Sequence, residues 1–86
     1  MKYVIISSFS TNIINTITGP FSNLTDAVAA VDSFVKSKKE EYESEYINTL
    51  FSLDRSSSNE ETTLIVFHDN ETIKFKWSIF PLNKMN

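Results

Sequence analysis

Cysteine is absent from this 86-residue chain, which rules out disulfides, thiolate zinc sites and a thiol nucleophile. The only histidine is His68, too few for a multi-histidine metal centre within one chain. The only glycine is Gly19, so there is no glycine-rich loop of the Walker or Rossmann kind to cradle a phosphate. No apolar run approaches the roughly 20 residues of a membrane span. The opening Met1-Lys2-Tyr3-Val4-Ile5-Ile6 is too short for a secretory leader before it passes into Ser7-Ser8. A cytoplasmic protein without membrane association is the expectation. Excess positive charge is missing too: the formal charge is −3, whereas binding nucleic acid by phosphate neutralisation requires a basic face.

What remains is enough for one domain spanning 1–86. Apolar residues make up 41% and aromatics 13%, sufficient for a core. A chain this short hides only about 60% of its unfolded surface. It often needs a staple, and with disulfides and metals excluded, a partner subunit is the support left open.

Tyr3 to Phe9 is rich in β-branched and aromatic residues and reads as a strand. Ser10-Thr11-Asn12 is a polar break before a second strand from Ile13 to Thr18, which Gly19-Pro20 should end. Asn23 suits a helix cap, with Asp26 near the positive end of the dipole and Phe21 positioned to staple the first turns. Leu24, Ala27, Val28, Val31, Phe34 and Val35 then form one helical stripe, predicting a helix from Leu24 to about Ser44. Its acidic end opposes the dipole and should fray.

Tyr46 to Leu53 is open to two readings. As a strand, Ile47, Thr49, Phe51 and Leu53 share a face; as a helix, Tyr42, Tyr46 and Leu50 extend the stripe. The strand is preferred, because the acidic run separates the two apolar patterns. Ser56-Ser57-Ser58-Asn59 is a loop by composition. Thr62 to His68 contains the unbroken run Leu64 to Phe67, which predicts burial on both faces. Asp69-Asn70 marks a tight turn into Thr72 to Phe80, where Ile73, Phe75, Trp77 and Ile79 alternate with Lys74, Lys76 and Ser78. The expected fold is α+β, order ββαβββ: an antiparallel sheet of four to five strands with one main helix on one face.

One helix shelters one sheet face, yet the first, second and fourth strands carry apolar residues at adjacent positions: Ile5 and Ile6, Ile13 and Ile14, Leu64 to Phe67. Some of these must point away from the helix. Exposed apolar patches usually mark an interface, and burial contributes about 25 cal/mol per Å². A homodimer is the simplest cover; the alternative is cover by loops and the segment Pro81 to Asn86.

No catalytic residue, metal site or cofactor is expected. His68 beside Asp69 reads as a surface histidine near a turn, because consecutive strand residues point to opposite faces. Glu40, Glu41, Glu43 and Glu45 form the candidate partner-binding surface, acidic and suited to a basic protein. The alternative site is for a nucleotide-like ligand: Lys74 and Lys76, with Tyr3 and Phe80 to stack on a base.

The segment Gly19-Pro20-Phe21-Ser22-Asn23-Leu24-Thr25-Asp26-Ala27 resembles a strand-to-helix junction of small phage accessory proteins. Length, lack of cysteine, mild acidity and abundant Ile, Asn, Ser and Lys are similar to theirs as well. The resemblance implies an anti-defence role: binding and inhibiting a host enzyme or defence complex, as anti-CRISPR proteins do. Its alternative is sequestering a nucleotide signal in a homo-oligomer. The junction is structural, and no functional residue is carried over from it.

Overall fold

The computed structural model describes residues 2–9 and 12–82, with side chains described at all of these except 12–15. The elements run β1 (Tyr3–Phe9), β2 (Asn12–Phe21), α1 (Leu24–Glu45), β3 (Leu50–Arg55), β4 (Glu61–His68) and β5 (Glu71–Pro81). All five strands form one antiparallel sheet in the order β2-β1-β5-β4-β3, which gives the α+β, ββαβββ arrangement.

The central strand β5 explains the layering. Ile73, Phe75, Trp77 and Ile79 alternate with exposed Thr72, Lys74 and Lys76 and are all buried. Strand side chains alternate between faces, so this strand fixes which face carries the core. Opposite it, Ile5 of β1 and Leu64 and Val66 of β4 turn to the same side. Helix α1 lays Ala27, Val31 and Val35 on them, with Leu24, Val28, Ala30, Phe34 and Tyr42 packed around the rim. The helix starts where its cap requires: the Asn23 side chain accepts the Asp26 backbone N–H at 2.8 Å, satisfying one of the first-turn donors.

Strand β2 does not stop at Gly19-Pro20 as expected; it continues to Phe21. The register with β1 jumps from Ile5↔Thr18 to Tyr3↔Phe21, so three steps on β2 face two on β1. This is a bulge. Gly19 takes φ 135°, where a Cβ would sit 3.0 Å from the Tyr3 carbonyl oxygen, and the Gly19–Pro20 peptide is cis. Pro20 is tolerated because β2 is an edge strand, which has one side without ladder bonds. Phe21 packs against the core rim. The expected Ser10-Thr11 break and the side chains of Ile13 and Ile14 lie outside the described residues.

The acidic helix end holds through Glu45, one residue past the expected end. The Tyr46 N–H donates to the Tyr42 carbonyl at 3.0 Å, and the Thr49 hydroxyl donates to the Tyr42 and Tyr46 carbonyls at 3.4 and 3.2 Å. These bonds occupy terminal carbonyls that the dipole leaves exposed. Residues 46–49 are therefore a turn, with Asn48 at φ 63°, and the strand expected from Tyr46 begins only at Leu50. The Asp69-Asn70 turn is found as expected, both residues at positive φ, the two-residue hairpin geometry that matches strand twist.

The run from Leu64 to Phe67 is not buried on both faces. Leu64 and Val66 are fully buried, Ile65 is half-buried and Phe67 is 40% exposed. The face away from the helix is mixed. Ile6, Ile17, Val4 and Phe80 lie towards β2, and Leu50, Ile65 and Phe67 towards β3. Lys74, Lys76, Thr72 and Ser78 of β5 run between them. Apolar side chains do lie away from the helix, as the counting implied, but in two patches. No helix among the described residues is long and apolar enough to cross a membrane.

Candidate functional site

One end of the molecule gathers the turn after α1, the start of β3 and the β4–β5 hairpin. Ile47, Asn48, Leu50, Phe67, His68, Asp69, Asn70, Glu71 and Thr72 line an open concavity of about 500 Å³ there. Ile47 is 85% exposed and Leu50 69%. The two-residue turn explains the acidic lip, since Asp69 and Glu71 flank its tip and both face water.

The four glutamates proposed from the sequence are not equivalent. Glu40 faces Lys36 at 4.0 Å and Glu41 faces Lys38 at 3.2 Å, both along the helix surface. Exposed pairs of this kind contribute little to stability, but they neutralise charge. Glu43 and Glu45 are exposed and lie in the last turn, directly before Ile47. Glu43 and Glu45 stand just before exposed Ile47 along the chain, while Asp69 and Glu71 line the concavity with Ile47, Leu50 and Phe67. Sequence reasoning missed Asp69, Glu71, Ile47 and Phe67, because only the fold brings the hairpin tip to the helix end.

The alternative ligand set is not brought together. Lys74, Lys76 and Phe80 share the face away from the helix, whereas Tyr3 pairs with Pro81 on the helix face and packs on the core. Lys76 approaches Glu61 at 3.5 Å.

His68 departs most from expectation: it is buried, only 6% exposed. It keeps phase with Thr62, Leu64 and Val66 on the helix face, and the end of α1 covers it. Its ring stacks on Tyr46 with centroids 3.9 Å apart, and Tyr42 lies 5.6 Å away. Neither ring nitrogen has a hydrogen-bond partner, and Nδ1 stands 3.6 Å from an Asp69 carboxylate oxygen, too far to count as a bond. Two signals in the sequence pointed here: the even spacing 62, 64, 66, 68, and tyrosines four apart on the helix. Burial first, then the nearby Glu41, Tyr46 and Glu45, raise the Tyr42 hydroxyl above its ordinary pKa of 10.0.

A narrower groove of about 200 Å³ runs between α1 and β2, with Phe34 and Trp77 below and Thr16, Thr18 and Lys38 at its sides. It contains none of the residues proposed from the sequence. Among the described residues, no group of three or more His, Asp or Glu side chains is placed to hold a metal ion. No protein-family model matches the chain, and comparison with curated proteins and with solved structures returns no match.

Proposed function

We propose that this chain is a non-catalytic protein-binding module, and that it works as a small phage-type inhibitor seated on a host enzyme or defence complex. The observation that carries the reading is the exposure of Ile47, Leu50 and Phe67 at one end, around a concavity whose lip holds Asp69 and Glu71. Apolar anchors with a charged rim are how protein interfaces divide affinity from steering. Glu43 and Glu45 widen the negative rim. The partner that fits is a protein segment with an apolar residue flanked by lysine or arginine.

The test is capture from host lysate with the wild-type chain and two variants. A partner retained by wild type should be lost with Ile47→Ser combined with Phe67→Ser. The double reversal Glu43→Lys, Glu45→Lys should slow its association and flatten the salt dependence. Lys74→Gln with Lys76→Gln should leave capture unchanged. A partner that survives the apolar changes and is lost with the lysine changes overturns the reading.

A further inference from the structure

The two edges of the sheet are unlike. At β2 the edge is irregular: it carries Gly19 at φ 135°, Pro20 and register shifts near both ends of its pairing with β1. These are devices that keep a foreign strand from pairing. At β3 the edge, Leu-Phe-Ser-Leu-Asp-Arg, has no proline, no lysine and an unbroken register with β4 from Leu50↔Phe67 to Arg55↔Thr62. Leu50 and Leu53 are 69% and 47% exposed on it. Arg55 is turned back onto Asp32 of the helix and the Thr62 hydroxyl, so its charge does not guard the edge.

The backbone alternation along β3 is fixed at its hairpin end. The Ser56 N–H donates to the Glu61 carbonyl at 2.9 Å. Antiparallel ladders alternate between bonded and non-bonded pairs, so Leu50, Ser52 and Asp54 direct their backbone groups at β4. Those of Phe51, Leu53 and Arg55 point outward, with no neighbouring strand among the described residues.

We propose that β3 pairs antiparallel with β3 of a second copy of this chain, about a two-fold axis at Ser52. This register sets Phe51 against Leu53 of the partner subunit, twice by symmetry, on the helix face. The outward backbone groups are bonded and both exposed Leu53 side chains gain an aromatic cover. A register centred on Leu53 sets Phe51 against an arginine already committed inward. The helices stand on the same side of the joined sheet. Each is centred over β5 and its neighbours, more than two strand spacings of about 4.8 Å from the axis, so helices about 10 Å wide do not collide. A six-residue strand makes a small interface, so the association is concentration-dependent. The paired strand shares Leu50 with the docking end, whereas Ile47 and Phe67 lie outside it, so Leu53, which the docking end does not use, carries the test.

The absence of natural cysteine makes the register directly testable. Ser52 meets its own symmetry mate at a non-bonded pair, where Cα atoms stand about 4.5 Å apart, within disulfide range. Ser52→Cys should give a covalent dimer under mild oxidation, while Thr16→Cys on the β2 edge gives none. By light scattering the wild type should rise to twice the mass of one chain with concentration. Leu53→Lys should stay at one chain mass, with the fluorescence of Trp77 confirming that it is folded. A wild type that remains a monomer at the highest soluble concentration overturns the proposal. So does a dimer that Leu53→Lys leaves intact, or one that cross-links through position 16 rather than 52.

Discussion

His68 has a shape that fits its site and a chemistry that does not. The ring fills the space between Val66, Tyr42 and Tyr46, yet both nitrogens are stripped of water without a replacement partner. A buried polar atom left unpaired costs about 1–3 kcal/mol, and replacing it by an apolar group of similar shape can be neutral or stabilising. His68→Phe is therefore expected to raise the urea midpoint, and His68→Ser, which also opens a cavity, to lower it. Equal losses in both variants would mean that the imidazole is held by something other than packing. Tyr42 beside it titrates the other way from a paired carboxylate. Its hydroxyl is neutral when folded and its pKa is raised. Below about pH 10 both states are protonated and the stability is intact. As pH climbs from the unfolded value towards the folded one, the unfolded chain loses the proton first and stability falls. Alkaline titration should show tyrosinate absorbance appearing together with loss of Trp77 signal, and Tyr42→Phe should move that transition to higher pH. Gly19 is the third residue with a fixed requirement. At φ 135° and 3.0 Å from a backbone oxygen, Gly19→Ala is expected to cost about 1–3 kcal/mol, read as a lower melting temperature.

Among the elements, α1 was legible almost to its ends because its signals are local. Asn23 caps, the stripe has helical period, and both are written within the segment. Asn23→Ala should cost about 1 kcal/mol by urea titration. The alternation in β5 was equally local, since Ile73, Phe75 and Trp77 are each followed by a lysine or serine. What escaped the sequence was set by neighbours far along the chain. Gly19-Pro20 reads as a stop, and does stop a central strand, but β2 lies at an edge where a missing donor is harmless. Leu64 to Phe67 reads as doubly buried, but among the described residues no second layer covers the outer face, and Ile65 is half-buried and Phe67 exposed. Of the alternative cover, Pro81 to Asn86, residues 83–86 lie outside the described residues. The end of α1 should fray by its charges, yet Thr49, past the turn, ties down its carbonyls. The candidate site divides in the same way. Glu43 and Glu45 stood out as a run in sequence, while Phe67, Asp69 and Glu71 come from a hairpin more than twenty residues further on.

At the scale of the whole molecule, stability rests on one layer contact. The core is a single cluster between α1 and the middle of the sheet, with Leu64 and Val66 fully buried beneath Val31. Leu64→Ala should cost about 2–5 kcal/mol. In a domain whose total is about 5–15 kcal/mol, that removes a large share, and denaturant unfolding should show it directly. The helix is too narrow to cover five strands; it reaches from β4 to β2, and β3 extends past it. On the β3 side Phe51 packs against the core rim, and long side chains bridge to the helix, Asp32 to Arg55 and Lys39 over the Phe51 ring. The flanks of the molecule are thus more accessible than its centre, and both proposed surfaces fall on the β3 flank or at its end.

The unequal flanks carry a consequence for growth. A chain with two straight flanks could add neighbours without limit and build a ribbon. Under the proposed pairing, joining uses up the straight flank and leaves a crooked one on each outer side, so assembly would terminate by itself at a pair. Straightening the crooked flank, by deleting one bulge residue and replacing the proline, would then let the pair grow into a fibre.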